Sequence, residues 1–149
     1  MGWKLLAFEE LTNLELYHIL KARTDVFVVE QNCPYFEVDG KDPYCLHLFH
    51  ELDGEIAAYL RIVPAGVSYP EPSLGRVLVN KEYRGKGMAK ELLTQALAFI
   101  REEWQVTAVK IQAQAYLREF YGSFGFRPVS EVYMEDNIPH LDMLLQVER

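Results

Sequence analysis

The segment from Leu74 to Gln114 does most to limit what this chain can become. A run of aliphatic and β-branched residues, Leu74 to Val79, is followed by the turn Arg84-Gly85-Lys86-Gly87. That turn opens a helix reaching about Trp104, which carries Leu92, Leu93, Ala96, Leu97 and Ile100 on its inner face. A second strand spans Ala108 to Gln114. Strand, turn, helix and strand in this order predict a right-handed crossover with two parallel strands. A ligand would sit at that crossover.

The elements before it are of a different kind. A short strand near residues 3 to 8 precedes Thr12-Asn13-Leu14-Glu15, which has the spacing of a capping box. The helix that follows places Leu16, Ile19, Leu20, Arg23, Val26 and Phe27 on one stripe and ends near Cys33-Pro34. Phe36 to Pro43 reads as an acidic, turn-rich loop. Leu46 to Leu52 and Glu55 to Val63 form a hairpin around Asp53-Gly54, a pair suited to the tight turn between twisted strands. After the crossover come a short helix around Leu117 to Phe124, stopped by Gly125-Phe126-Arg127-Pro128, and two strands near Glu131 to Glu135 and His140 to Val147. The expected fold is α/β: a mixed, largely antiparallel sheet with helices on both faces and one parallel strand–helix–strand crossover. With no repeat or linker, residues 1–149 read as a single domain.

Composition narrows the function. Fifteen Lys and Arg against 22 Asp and Glu give a formal charge of -7, which disfavours nucleic acid or an anionic membrane as partner. Two cysteines, Cys33 and Cys45, occur without a CxxC or a four-ligand spacing, so no metal site is expected. Met1-Gly2-Trp3-Lys4 does not begin a signal peptide, and no apolar run approaches the roughly 20 residues of a membrane helix. The cytoplasm is the expected compartment, and the aromatic content leaves room for a homodimer.

The glycine-rich turn is the first functional candidate. Two glycines allow close backbone approach, and the helix N-terminus offers unpaired amides with positive partial charge, so Arg84, Gly85, Lys86, Gly87, Met88 and Ala89 form a phosphate cradle. The alternative is a turn shaped by glycine and nothing more. A Walker loop is excluded because Met88 follows Gly87, and a dinucleotide fingerprint fails at Lys90 and at Gln112 and Gln114.

Arg84, Gly87 and Ala89 fill an Arg-x-x-Gly-x-Ala pattern that resembles the acetyl-CoA motif of the GNAT superfamily of N-acetyltransferases. Phe120-Tyr121-Gly122-Ser123-Phe124-Gly125-Phe126 is similar to its Tyr-x-x-x-Gly-Phe signature. Arg23, Val26 to Gln31, Cys33-Pro34-Tyr35, Asp39, Asp42, Gln112-Ala113-Gln114 and Ile138-Pro139-His140 resemble the ElaA-like group. The resemblance implies direct transfer of an acetyl group from acetyl-CoA, as co-substrate, to a primary amine of a small molecule or peptide. By that resemblance the amides of residues 84–89 hold the pyrophosphate, the backbone of Leu78 and Val79 pairs with the pantetheine arm, and Tyr121 protonates the departing thiolate. Gln114 stands where relatives carry a pantetheine-binding asparagine. The strand before the turn lacks the glutamate that many relatives use as a base. Glu30, Asp39, His47 and His140 are the candidates for that role, of which His47, His140 and Glu30 are expected at the substrate pocket; His47 and His50 lie on opposite faces of their strand. Arg23, inside an apolar stripe, suits a snorkelling path to solvent, an ion pair with a carboxylate such as Asp39 or Asp42, or a contact with the substrate itself, the ion pair being favoured. Cys33 suits a small buried position. The acidic loop would favour a cationic amine if it borders the pocket. The rival class is a non-catalytic acyl-CoA-binding or sensor domain, indifferent to Tyr121; an NAD-dependent oxidoreductase is a weaker one.

Overall fold

The computed structural model describes residues 2–146. Strand β1 (Gly2–Ala7) leads through a 3-10 turn into helix α1 (Asn13–Arg23). Thr12 caps this helix as expected: its hydroxyl accepts from the Glu15 amide at 3.0 Å, and its own amide donates to Glu15 Oε1 at 2.9 Å. Beyond Arg23 the helix does not stop. It loosens into a π-helical segment, Thr24–Glu30; the buried face is Glu15, Ile19, Ala22 and Arg23 of the helix, continued by Val26 of this segment.

Strands β2 (Leu46–Leu52) and β3 (Glu55–Val63) form the expected hairpin. Asp53 and Gly54 both have positive φ, 52° and 75°, the geometry of a tight turn that matches strand twist. With β4 (Ser73–Val79) they complete an antiparallel sheet in the order β1-β2-β3-β4. Helix α2 (Met88–Phe99), extended by a π turn to Trp104, then crosses to β5 (Ala108–Gln114). Helix α3 (Arg118–Gly122) precedes β6 (Arg127–Pro128), β7 (Tyr133–Glu135) and β8 (Ile138–Gln146). A second antiparallel sheet has the order β5-β8-β6, with β7 also on β8. The expected last strand thus begins two residues earlier, and its final residue, Val147, lies outside the described residues.

The two sheets share a core. Leu92, Leu93, Ala96, Leu97 and Ile100 of α2 pack on Leu48, Leu60 and Ile62 of the first sheet and on Ile111, Leu141 and Met143 of the second. On the opposite face, Ile19, Ala22 and Val26 pack on Phe49, Tyr59 and Leu78. Helices therefore cover both faces, as expected. The crossover differs in one respect: no ladder joins β4 to β5 among the described residues. A bond from the Lys110 amide to the Pro72 carbonyl (3.0 Å) ties them at their start, and beyond it the sheets part. The cause lies in β4. Tyr59 pairs with Leu78 but Arg61 with Gly75, so β4 carries an extra residue there. Arg76 absorbs it at φ 53°, and such a bulge bends a strand away from its neighbour.

Candidate active site

A cleft of about 830 Å³ occupies the gap between β4 and β5. The Asn80 amide donates to the Ala57 carbonyl at 2.8 Å. Because strand peptides alternate in direction, Leu78 also turns its peptide groups toward β3, whereas Val79 presents its own to the open edge. Of the two residues expected to pair with pantetheine, Val79 therefore offers the backbone and Leu78 an apolar side chain, buried against α1 while bordering the cleft.

The glycine turn closes one end. Gly85 and Gly87 adopt φ of +82° and +81°, which disfavours any side chain. A Cβ built on either meets nothing within 4 Å, so the space above the turn is open. Gly87 caps α2 without a side-chain cap, so the first amides of the helix have no helical partner and suit an anion. Met88, Ala89 and Lys90 border the cleft. Lys86 does not: its ammonium sits 5.8 Å from the centroid of the Tyr83 ring.

Arg84 does more than supply a backbone amide. Its Nε donates to the Val79 carbonyl at 2.8 Å, and its two terminal nitrogens grip both oxygens of Glu30 at 2.7 and 2.9 Å. Glu30 borders the cleft from the π-helical segment, but hydrogen bonds from Arg84 hold its carboxyl below the usual value. That is the wrong direction for a base at neutral pH.

Tyr121 lies in the wall, 6% exposed, with its ring edge-on to Phe120 and Phe126. Burial pushes its phenol well above the ordinary value, so it stays a proton donor across the neutral range. Gln114 exchanges amide contacts with Gln31 at 3.3 and 3.5 Å, tying β5 to the segment after the π-helix. His140, opposite Gln114 in the ladder, also borders the cleft. Its Nδ1 lies 2.7 Å from the Ile138 carbonyl; that nitrogen must carry the proton, which leaves the Nε2 lone pair available.

His47 is not part of this group. It is fully buried, with Nδ1 2.7 Å from the Tyr59 hydroxyl and Nε2 3.0 Å from the Asp42 carbonyl. Burial lowers its pKa, and both nitrogens are engaged away from the cleft. His50 faces the other way and stacks on Trp3. Cys33 is buried beside the cleft, its thiol 3.3 Å from the Asp136 carbonyl; burial pushes the Cys45 thiol up to about 11. Among the described residues no group of metal-ligating side chains forms, and no helix is long and apolar enough to cross a membrane.

The acidic loop is largely neutralised from within. Arg23 binds Glu37 and, at 2.7 Å, Asp42; Arg61 binds Asp39 and, at 2.9 Å, Asp42; Arg76 binds Glu37 and, at 3.3 Å, Asp39. Arg23 thus chooses Asp42 of the two expected partners and adds Glu37. Burial opposes the charge on Asp39, yet the bonds and charge of Arg61 hold it far below the usual carboxylate range. Three arginines and three carboxylates form one wall of the cleft and the floor behind it. The signal for Arg61 was its place within the apolar run Ile56 to Val63; Arg76 gave none, since its role depends on the bulge.

The Acetyltransferase (GNAT) domain family matches residues 22–147. Protein ElaA of Escherichia coli is 40% identical over 147 residues, covering 97% of this chain and 96% of that protein. The chain belongs to the GNAT acetyltransferase family. Its structure agrees: a crystal structure of an acyl-CoA N-acyltransferase from Pseudomonas aeruginosa superposes with a TM-score of 0.91 at 42% identity, over 96% of this chain and 97% of that one. E. coli ElaA follows with a TM-score of 0.90 at 39% identity, over 97% and 98%. An aminoglycoside 6'-N-acetyltransferase complexed with coenzyme A shares the fold (TM-score 0.72, 98% of each chain) at 11% identity. This family member is an acyl-CoA-dependent acyltransferase.

Proposed function

We propose that the protein, as a single cytoplasmic domain, transfers an acetyl group from acetyl-CoA directly to a primary amine of a small molecule or peptide. The observation that carries this reading is the convergence on one cleft of the unpaired edge of β4 at Val79, the Gly85–Gly87 cradle and the Tyr121 phenol. Amides at the start of α2 would hold the pyrophosphate, and Val79, Leu78 and Gln114 the pantetheine arm. Acetyl-CoA supplies an activated acyl group on a thiol leaving group.

The remaining chemistry falls to the side chains. An amine reaches the cleft as ammonium and must lose a proton before it attacks; His140 Nε2 receives it. As the nitrogen–carbon bond forms and the carbon–sulfur bond breaks, the Tyr121 hydroxyl donates its proton to the sulfur, and the second proton shed by the acylated nitrogen restores the phenol. His47, sealed beneath Asp42, has no part in either transfer, and Glu30, paired with Arg84, is assigned none. The carboxylates of the acidic loop are spent on arginines, so they do not draw the acceptor in. Glu135 and Asp136 on the β7 side border the cleft without a cation at ion-pair distance among the described residues; Glu135 meets only the Gln112 amide, at 3.4 Å. Lys41 borders the cleft too, bonded to the Ser68 hydroxyl at 3.0 Å. The β7 side is where a cationic amine would be attracted.

Thermal shift with acetyl-CoA, CoA, NAD and ATP tests the reading. Ligand at 100 times its dissociation constant adds about 2.7 kcal/mol, or roughly 5 to 11 °C for a domain of this size. A shift selective for acetyl-CoA and CoA, followed by mass gain of 42 Da (~, one acetyl for one hydrogen) on members of an amine panel, supports it. A shift with NAD alone, or none at millimolar acetyl-CoA, overturns it.

A further inference from the structure

Arg84 uses its side chain for something the phosphate cradle does not require. Its Nε occupies the Val79 carbonyl, the one acceptor that β4 offers to the cleft at this end of the strand, and Glu30 fastens the guanidinium in place from across the chain. Both side chains are about two-fifths exposed, at 41% and 39%, so neither packing nor burial demands this arrangement. The carboxylate comes from the last residue of the π-helical segment, Glu30, whose neighbour Gln31 is itself tied to Gln114 of β5. A ligand arm that pairs with the β4 edge as an added strand would meet the Arg84 side chain at that carbonyl.

We propose that Glu30 is a positioning residue that sets coenzyme affinity through Arg84: it holds the guanidinium on Val79, and the pantetheine arm binds by displacing it. This rests on the coenzyme reading given above. The Glu30–Arg84 pair is then a latch that acyl-CoA must open, and its strength is subtracted from the affinity for the coenzyme. Opening also frees a cation beside the cradle, where the anionic end of the coenzyme arrives.

Two substitutions separate a latch from simple charge. Glu30→Gln removes the carboxylate; Glu30→Asp keeps the charge but is one methylene too short to grip both guanidinium nitrogens. An exposed ion pair is worth up to about 1 kcal/mol, so releasing it lowers the dissociation constant by about threefold to fivefold. Calorimetry with acetyl-CoA and with CoA, on protein whose melting temperature is checked in parallel, reads the effect without reference to turnover. The expected result is tighter binding in both variants. Tighter binding in Glu30→Gln with wild-type affinity in Glu30→Asp overturns the latch, because removal of a repulsive charge then accounts for the change. Unchanged or weaker binding in both variants also overturns it, while leaving the coenzyme reading intact. Failure of the wild-type protein to bind either compound removes the coenzyme reading and the latch with it.

Discussion

Replacing Tyr121 by Phe removes one oxygen and leaves everything that packs. The ring lies edge-on to Phe120 at 5.3 Å and to Phe126 at 6.0 Å between centroids, and both contacts survive the substitution. No protein group among the described residues hydrogen-bonds the hydroxyl, so nothing is orphaned by its loss. The stability change should stay within about 1 kcal/mol, which for this size is roughly 2 to 4 °C in melting temperature. Turnover should respond far more. A positioned general acid contributes about 10²- to 10⁴-fold, and a thiolate, with a parent pKa of about 8.5, leaves more readily than most groups. The low end applies: about 10²-fold in kcat. Steady-state kinetics against a saturating amine, calorimetry with acetyl-CoA and a melting curve complete the assay. Since burial raises the Tyr121 pKa, the wild-type rate should show no alkaline limb from this group below about pH 10. A variant that binds acetyl-CoA normally and turns over within threefold of wild type refutes the acid role and favours a binding module.

Arg23→Ala strips a fully buried cation from Glu37 and Asp42, which should cost about 3 to 5 kcal/mol, or roughly 6 to 20 °C in melting temperature; a loss under about 1 kcal/mol would mean Arg61 and Arg76 suffice. The folded-state pKa of His47 lies below its unfolded value, so its contribution is fully present above about pH 6.5 and declines as pH falls toward the folded value. Chemical denaturation from pH 7.5 down to pH 5 (about 0.5-unit steps) should therefore show a fall in stability that His47→Gln flattens, and parallel curves would contradict the assignment. His140→Gln should lower kcat/KM while leaving acetyl-CoA affinity unchanged; an unaltered kcat/KM places the base elsewhere.

The hairpin and the second helix were legible because their signals are local: Asp53-Gly54 dictates a turn by its φ values, and Gly87 followed by an apolar stripe dictates a helix start. The π-helical segment after Arg23 was not, because i→i+5 bonding leaves no separate mark on an apolar stripe. The opening between β4 and β5 depends on one extra residue in β4. That count exists only once β3 and β4 are paired, so Arg76 looks like any strand residue in isolation. His47 illustrates the same limit: alternation says it faces away from His50, but only the fold decides that its face lies beneath the acidic loop. Arg23 was conspicuous from the start, since a lone guanidinium on an apolar stripe demands a carboxylate. Its second partner, Glu37, could be found only by folding the loop back upon it.

The six-charge wall has a consequence for how this enzyme can change its acceptor. Arg23, Arg61 and Arg76 each touch two of Glu37, Asp39 and Asp42, so each carboxylate is also shared, and the set forms a closed ring. Altering one member strands charge on two neighbours, and no single step restores balance. That side of the cleft is therefore locked to gradual mutation and should vary among descendants only in coordinated pairs. Glu135 and Asp136 on the facing side carry no such debt to other side chains. Divergence in what is acylated has its easiest route through β7 and its turn, with the arginine ring serving as the fixed jaw of a vice whose other jaw is free to be reshaped.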